Sequence, residues 1–550
     1  MGTKVNSNYE DLINFVRASS TNNTGAMALR PVSYGDELVA NGDMSADPTI
    51  NGNGVGNYQS ADAVSNGRLE INVTVLSSGA NARLQPQDSS YIGKLFTVSY
   101  ELFIPTGFSS VSSQKEEGST TTTIKTHSER DEWITVTYLY QPTETNDRVF
   151  QLAFQNNTST TQKILVDNLS VKEVLFDQPD GTLTLFPHPE NVPRVEYDAD
   201  GNRLGLLVEE QRTNLVTYSE DFDSWSTAPT AASFELTTAL SPSQQNAYLL
   251  KDTTNNVEHV TKSPYFSITS GNDYSLSVFV KKQTKSIIRV GAENIGALPA
   301  RVFFDVDAGQ VTTESLGTGS IQDVGNGWYR CIVVGTASSS VTTRMEINVV
   351  STGTTVVYAG DETGLYVYGA QAEAGSFPTS YIKSNSGSTT TRSADVASIP
   401  VADFGYNQSA GTFFIDITDV ISNNNKDYFS VSSSGSFNPE SFGLYGTPDT
   451  GPTLGYRRRN SAYNPAITST ADIQSTGSKV ALSHDASSLV ISVDGVATET
   501  SSSNSVDTIT EIAFGGSGHG VTGDVHSKHI KSIKYYPRRL TNAQLVELTS

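Results

Sequence analysis

The feature that most constrains this chain is an internal repeat of strand-forming landmarks. Four landmarks recur in the same order in two parts of the sequence. The offset between the two copies grows from 177 (38 to 215) to 200 (173 to 373), which indicates insertions in loops. The paired landmarks are 37–44 with 214–222, 93–102 with 271–280, 133–136 with 328–331, and 165–173 with 366–373. We therefore predict two jelly-roll-like β-sandwiches, over residues 36–175 and 212–382.

Composition places the chain in the all-β class. Its 550 residues are too many for one compact core, so several domains are expected. Only 17% of the residues are charged, while 24 Tyr and 22 Phe can build several cores, which argues against disorder. Runs rich in Thr, Val and Tyr, interrupted by 44 Gly, favour strands joined by tight turns. The predicted architecture is all-β, with two tandem jelly-roll-like β-sandwiches followed by a third β-sandwich.

The remaining segments are predicted from local signals. One early helical pattern runs over residues 9–17, where three apolar residues share a face. Closely spaced prolines mark a turn-rich bridge, in which the segments 194–197 and 204–208 predict a short hairpin. Thr541 is the predicted N-cap of a short helix that ends at residue 548. The predicted boundaries are 1–35 for a short N-terminal helix and attachment segment, 176–211 for the bridge, 383–394 for a flexible linker, and 395–550 for the third domain.

The net charge of −22 disfavours several partners. Nucleic-acid binding needs clustered Lys and Arg, and an anionic membrane surface would be repelled, so neither is expected as a partner. The sequence has no run near the roughly 18 apolar residues of a membrane span. Residues 1–4 lack the apolar core of a signal peptide, so we expect delivery without the ordinary secretion signal, or assembly in a cell that later lyses. The single cysteine, Cys331, leaves no intrachain disulfide and is predicted to be buried.

Three stretches of the sequence contain distinctive motifs. They read GLLVEEQRTNL at 205–215, GAQAEAGSFPTSYI at 369–382 and TRSADVA at 391–397. In this order they resemble tailed-bacteriophage virion structural proteins of the tail, fibre or head-surface type. The end of the chain, YPRRLT at 536–541, is similar to the end of a concanavalin A/laminin G-like domain. The resemblance covers residues 175–550 well, and it implies carbohydrate-binding-like β-sandwich modules followed by a C-terminal concanavalin A/laminin G-like domain.

The first sandwich departs from this pattern. In similar proteins, an opening like the one at 15–19 leads quickly to a stretch like the one at 193–197 of the bridge. The first sandwich stands between these two segments, which indicates an inserted module. We therefore predict that residues 10–35 and 175–210 pack together as one small platform.

The resemblance implies a non-enzymatic virion component that is assembled in the host cytoplasm and exposed on the particle surface. Its lectin-like modules would bind host cell-surface glycans, other virion proteins, or both, and its oligomeric state would follow the virion symmetry. One alternative is a purely architectural capsid decoration, neck or baseplate connector. The other is a polysaccharide depolymerase, which needs two carboxyl groups about 5–10 Å apart across one cleft. The neighbours Glu209 and Glu210 would project to opposite faces of an extended chain, so we predict structural roles for them.

Aromatic side chains are the first candidates for a glycan contact, because an apolar ring stacks on the C–H face of a sugar. Trp133 and Trp328 open equivalent strands of the two copies, which favours core packing for both. Trp225 and Tyr58 lie in predicted loops, where either a ligand contact or a packing role is open.

Charged residues supply the remaining candidates. Asp43, Asp167 and Asp221 lie near predicted sandwich ends, where related folds often hold a structural Ca²⁺ through carboxylate oxygens. The alternative is that they are solvated turn residues, which is favoured because no loop has the regular acidic spacing of a dedicated calcium motif. The basic run Arg457, Arg458 and Arg459 is either a solvated face or a contact for an acidic subunit or sugar acid.

Overall fold

The computed structural model of the protein describes most of the chain. The described residues are 14–16, 26–58, 60–73, 80–118, 120–156, 162–188, 192–227, 231–384, 387–420, 426–432, 441–446, 454–459, 462–474, 476–501, 509–514 and 528–550. The chain divides into two compact units, which we call the inserted unit, Pro31–Thr182, and the main unit, Met1–Arg30 with Leu183–Ser550. Nearly all regular structure is β-strand, which confirms the all-β prediction. In the described ranges, no helix is both long enough and apolar enough to cross a membrane.

The N-terminal segment contributes a strand where a helix was predicted. β1 (Asn14–Val16) pairs antiparallel with residues 396–398, so the helix predicted over 9–17 is wrong at these three positions. Pairing with a distant strand outweighs the weak helical periodicity of such a short segment. Residues 9–13 and 17 lie outside the described part of the chain. The predicted C-terminal helix is confirmed as α1 (Asn542–Thr549), and the side chain of Thr541 caps it.

The inserted unit is a sandwich of two antiparallel sheets. Its strands are β2 (Ala26–Glu37, which begins in the main unit), β3 (Gly56–Tyr58), β4 (Ser60–Ser65), β5 (Arg68–Val73), β6 (Ala80–Leu84), β7 (Phe96–Phe103), β8 (Phe108–Glu117), β9 (Thr120–Thr126), β10 (Trp133–Tyr140), β11 (Phe150–Asn156) and β12 (Gln162–Phe176). One sheet has the order β10-β7-β12-β2, with β5 and β4 beside β12, and the other has the order β3-β6-β11-β8-β9. In β7, Val98, Tyr100 and Leu102 are buried between the sheets, while alternate residues face outward.

The second sandwich lies in the main unit and repeats this arrangement. The strands from the bridge to the linker are β13 (Thr182–His188), β14 (Val195–Tyr197), β15 (Arg203–Val208), β16 (Arg212–Asn214), β17 (Ser226–Thr227), β18 (Ser233–Leu240), β19 (Asn246–Lys251), β20 (Asn256–Glu258), β21 (Val260–Lys262), β22 (Phe266–Ile268), β23 (Asp273–Lys282), β24 (Ile287–Ala292), β25 (Arg301–Asp305), β26 (Gln310–Leu316), β27 (Thr318–Asp323), β28 (Trp328–Thr336), β29 (Val341–Thr343), β30 (Met345–Val350), β31 (Val357–Ala359), β32 (Gly364–Ala374) and β33 (Thr390–Arg392). The facing sheets have the orders β18-β19-β32-β23-β28-β27 and β17-β21-β30-β24-β25-β26. β23 lies between β28 and β32, as β7 lies between β10 and β12 in the inserted unit.

The third sandwich is completed by strands from distant parts of the sequence. Its C-terminal strands are β34 (Val396–Pro400), β35 (Gly411–Val420), β36 (Lys426–Ser432), β37 (Ser441–Gly446), β38 (Leu454–Arg459), β39 (Ala462–Thr468), β40 (Ser478–His484), β41 (Ser488–Val493), β42 (Val496–Ser501), β43 (Glu511–Phe514) and β44 (Lys528–Tyr536). Its two sheets have the orders β1-β34-β43-β36-β37-β38-β39 and β14-β15-β44-β35-β40-β41-β42. The hairpin predicted in the bridge is confirmed as β14 and β15. Both strands therefore belong to the third sandwich, in which Leu206 of β15 pairs with Ile530 of β44.

A buried cluster of four charged residues lies in the main unit, and we call Arg194, Glu209, Arg392 and Asp395 the arginine cluster. Arg194 Nη1 donates to Glu209 Oε2 at 2.8 Å, and its Nη2 donates to Asp395. Arg392 Nη1 lies 3.2 Å from the same Glu209 oxygen. The N–H and Oγ–H of Ser380 donate to Glu209 at 2.7 and 2.6 Å. Burial raises the pKa of Glu209, but Arg392 and Arg194 hold it well below its usual range.

The arginine cluster joins segments that are far apart in the sequence. Arg194 belongs to the bridge, Ser380 to the end of the second sandwich, and Arg392 and Asp395 to the linker and the start of the third domain. Arg194 also donates to the carbonyl oxygen of Met27 at 3.3 Å, which adds the N-terminal part of β2. The three stretches that resemble virion proteins thus supply the partners of one buried arginine. In this structure they form a joint between sandwiches.

We expect Arg194→Met to destabilise the main unit by about 3–5 kcal/mol, because it leaves buried carboxylates without their cation. Urea unfolding followed by tryptophan fluorescence measures this, since Trp225 and Trp328 are both buried in the main unit. Arg538→Met, at an exposed arginine of the main unit, is the control and changes stability by less than about 0.5 kcal/mol. A main-unit transition that shifts equally little in Arg194→Met would contradict the prediction.

Candidate functional site

The two duplicated tryptophans have opposite environments. Trp328 is 1% exposed and its Nε1 donates to the carbonyl oxygen of Leu240 at 3.1 Å, so its predicted core role is confirmed. Trp133 is 37% exposed, so the prediction that it packs in the core is wrong. Each begins the strand next to the central strand of its sheet, and neither belongs to the apolar cluster between the sheets of its sandwich.

The outer face that carries Trp328 is covered by protein. Met27 of β2 and Leu185 of β13 pack in one apolar cluster with Trp328 and Phe279. The corresponding outer face of the inserted unit leaves Trp133 exposed to solvent. The same position in the two copies is therefore a core residue in one and a surface residue in the other.

Trp133, Phe103 and Arg68 form the feature that we call the Trp133 platform. The ring centroids of Trp133 and Phe103 lie 5.6 Å apart, with 48° between the ring planes. The guanidinium carbon of Arg68 lies 4.8 Å from the centroid of the Trp133 ring, which is a cation–π distance. Trp133 and Phe103 are directly paired across β10 and β7, so the platform is preformed by the sheet register.

Polar side chains surround the Trp133 platform on neighbouring strands. Lys163 Nζ lies 2.6 Å from Glu70 Oε2, and Asn168 Nδ2 donates to Glu101 Oε2 at 3.1 Å. Leu165 of β12 pairs with Phe103 on one side and with Glu70 on the other, which places these groups in one row. A partly apolar surface rimmed by hydrogen-bonding groups suits a ligand with C–H faces and hydroxyl groups.

Trp225 lies inside the second sandwich. It is 5% exposed, its Nε1 donates to the carbonyl oxygen of Tyr218 at 2.8 Å, and its ring centroid lies 5.0 Å from that of Phe222. A 3₁₀ turn at Phe222–Ser224 precedes Trp225 in the chain. Trp225 is therefore a core residue, and it lacks the exposed ring face that the predicted ligand contact requires.

Two further predicted contacts fall where side chains are not described. Tyr58 ends β3, and the run Arg457, Arg458 and Arg459 ends β38. The backbones of these residues are paired in their sheets, while their side chains lie outside the described part of the structure. Their roles stay predictions.

The three predicted calcium ligands make local contacts. Asp43 accepts from the Ser45 hydroxyl at 2.7 Å, Asp221 accepts from the Ser224 hydroxyl at 2.8 Å, and Asp167 accepts from the N–H of the next residue at 2.8 Å. Asp43 and Asp167 belong to the inserted unit and Asp221 belongs to the main unit. Among the side chains that are described, no three His, Cys, Asp or Glu residues are grouped so as to hold a metal ion.

A serine, a histidine and a glutamate in the inserted unit are arranged in space like the serine–histidine–acid triad of a hydrolase. The sequence did not suggest this arrangement. Ser113 Oγ lies 2.7 Å from His127 Nε2, and His127 Nδ1 lies 3.9 Å from Glu129 Oε2. The Tyr100 hydroxyl donates to Ser113 at 2.6 Å. Ser113 is 0% exposed, so a substrate does not reach its hydroxyl. The group is a buried hydrogen-bond network of the core.

Comparison with known proteins gives only distant likenesses. No family model and no curated protein matches the sequence. Among solved structures, the chain is similar to the CBM40 of the Ruminococcus gnavus IT-sialidase bound to α2,3-sialyllactose (18% identity, 26% of this chain and 84% of that chain, TM-score 0.24). It is also similar to the tandem CBM22 domains of Paenibacillus barcinonensis Xyn10C (11%, 62% and 98%, TM-score 0.20) and to Trypanosoma rangeli sialidase (10%, 89% and 83%, TM-score 0.21). At these TM-scores, none of the likenesses assigns a function to the chain.

We expect the inserted unit to lose stability as the pH falls from about 6.5 to about 4, because of His127. Burial, together with Lys125 and Arg130, lowers the pKa of His127 to about 4, and Glu129 only partly opposes this. Above pH 6.5 the histidine is neutral in both the folded and unfolded states, whereas below it the unfolded state binds the proton first. The loss approaches about 3 kcal/mol at pH 4, at about 1.4 kcal/mol per pKa unit.

His127→Gln is the matched variant, because Gln keeps a hydrogen-bonding group beside Ser113 but does not titrate. Urea unfolding of both proteins at several pH values isolates the histidine from the carboxylates that titrate in the same range. Parallel stability curves for the two proteins between pH 7 and pH 4 would disprove the assignment.

Proposed function

We propose that this protein is a bacteriophage virion component that binds host cell-surface glycans through the Trp133 platform of its inserted unit. The observation that carries the proposal is the exposure of Trp133 beside Phe103, at a position where the other copy of the sandwich buries its tryptophan. Two aromatic rings held side by side on an exposed sheet face are the kind of surface on which a sugar ring stacks.

The platform has the groups that a sugar requires. The rings of Trp133 and Phe103 offer an apolar surface to the C–H face of a pyranose. Arg68, Glu70, Glu101 and Asn168 offer donors and acceptors to its hydroxyl groups. Because the rings are fixed by the register of β10 and β7, little conformational entropy is lost on binding.

The virion assignment rests on the resemblance of three sequence stretches. These stretches supply Glu209, Ser380, Arg392 and Asp395 to the arginine cluster and its partners. Buried ion pairs of this kind hold the second and third sandwiches in a fixed arrangement. We expect such an arrangement in a surface or tail protein of a virion. We place the protein on the particle surface, with an oligomeric state that follows the virion symmetry and with other virion proteins as further partners.

We propose that the protein binds without catalysis. A glycosidase acid needs a pKa raised towards neutrality, whereas the arginines hold the pKa of Glu209 well below its usual range. The hydroxyl of Ser113 is buried away from any substrate. These observations disfavour the depolymerase alternative.

An architectural role is the second candidate, and one observation favours it. In the main unit, strands β2 and β13 cover the outer face that carries Trp328. The Trp133 platform lies on the equivalent face of its own sandwich and would be covered in the same way by a neighbouring virion protein. This candidate predicts binding to a virion protein and no binding to any glycan.

We expect Trp133→Ala to weaken glycan binding by about 30-fold, the loss typical of a central aromatic contact worth about 2 kcal/mol. The full chain is screened on an array of neutral and acidic oligosaccharides, and the best ligand is then titrated by calorimetry. Arg68→Ala weakens binding to a smaller extent, because Arg68 contributes hydrogen bonds and its contact with the ring but no stacking surface of its own.

Tyr265→Ala is the matched control. Tyr265 is 59% exposed and also carries an arginine, Arg344, at 4.6 Å from its ring centroid, but it lies in the main unit. We expect the Tyr265→Ala variant to bind the glycan with the same affinity as the unmodified protein. Equal affinity in Trp133→Ala and the unmodified protein would reject the platform as the glycan site.

A further inference from the structure

Among the described residues, one sheet edge of the inserted unit is free, whereas the equivalent edge of the second sandwich is paired with an additional strand of its own. β10 pairs with β7, and no other strand in the described part of the inserted unit pairs with it. The corresponding strand of the second sandwich, β28, pairs with β23 on one side and with β27 on the other. The growth of the sequence offset between the two copies falls in this region, where β25, β26 and β27 precede β28. One copy thus carries its own edge strand and the other does not.

Side-chain contacts show which backbone groups of β10 and of the residue after it point to the free edge. Lys115 Nζ donates to the carbonyl oxygen of Leu139 at 2.9 Å, and the N–H of Gln141 donates to Glu117 at 2.6 Å. Alternate residues of an antiparallel strand direct their backbone groups to the same side. The N–H and C=O groups of Trp133, Thr135 and Thr137 therefore also point to this edge.

Only one end of this edge is protected. Lys115 and Glu117, which are 2.8 Å apart, cover the edge at residues 139 and 141. The segment Trp133–Thr137 has no charged side chain and no proline, although charges and prolines are the usual devices that block pairing at an edge. Trp133, Thr135 and Thr137 are all exposed. An unblocked edge of five residues is a template for another strand.

We propose that β10 pairs with β10 of a second copy of this chain, antiparallel and about a two-fold axis at Thr135. In this register Trp133 lies opposite Thr137 of the other copy, and Thr135 lies opposite itself. Residues that are directly opposite then point to the same side of the sheet, so both sandwich cores stay buried. The result is one continuous sheet across two inserted units, with a self-complementary interface.

Charge favours a second copy as the occupant of this edge. Two chains of net charge −22 repel each other, so a contact made of uncharged residues adds no further local repulsion between them. The segment Trp133–Tyr140 meets this condition, because all eight of its residues are uncharged. A second copy of the chain supplies an identical β10 as the partner strand, so the pairing needs no other protein.

The test is sedimentation equilibrium of the full chain at concentrations up to about 100 μM. We expect a monomer–dimer equilibrium for the unmodified protein, and dimerisation at least about tenfold weaker in Thr135→Pro. Proline removes the N–H that points to the free edge and leaves the pairing of β10 with β7 intact, as edge strands allow. A second variant, Thr135→Lys, weakens the dimer to a similar extent, because it places two like charges directly opposite each other.

Thr135→Val is the control, because valine suits a strand and carries no charge, and it keeps the dimer. Circular dichroism and thermal unfolding establish that each variant is folded. A monomer at every concentration of the unmodified protein would overturn the proposal and leave the edge to a strand of a different protein. A dimer of unchanged strength in both Thr135→Pro and Thr135→Lys would also overturn it.

Discussion

The main unit depends on one buried arginine. Arg194 is 0% exposed, and its partners Glu209 and Asp395 are also buried. Moving one of these charges into the interior is costly, and only the complete set of partners compensates for it. The cluster therefore favours the arrangement in which bridge, linker, sandwich end and N-terminal strand all meet. Apolar residues in place of the charged ones would bury a similar surface without requiring exact hydrogen-bond geometry. The advantage of the charged cluster is therefore that it specifies how the segments assemble.

The sequence was a good guide where a signal is local. The alternation of apolar and polar residues predicts the strands β7 and β23, and two short segments of the turn-rich bridge predict the hairpin of β14 and β15. The sequence did not reveal that this hairpin belongs to the third sandwich, because its pairing with β44 spans more than 300 residues. For the same reason the local sequence predicts a helix at β1: its partner strand β34 lies about 380 residues further along the chain.

The candidate site was harder to predict than the fold. Trp133 and Trp328 occupy equivalent strand positions, and the sequence around each predicts an interior residue. Their environments differ because other segments cover one sheet face and leave the other bare, and this is a property of tertiary packing. For Trp225 the difference is reversed: the residue follows a short polar loop, yet its ring folds back into the core. Turn-like sequence around an aromatic residue is therefore weak evidence of exposure.

The ends of the inserted unit lie side by side. Val32, near its beginning, pairs with Phe176, near its end, and the N–H of Asp177 donates to the carbonyl oxygen of Pro31 at 3.0 Å. Units whose termini are adjacent can be added to or removed from a host chain without displacing its other parts. Such an exchange would leave the arginine cluster untouched, because its four charged members lie outside the inserted residues. The surface that carries the Trp133 platform and the scaffold of the main unit can therefore evolve separately, by replacement of the inserted unit alone.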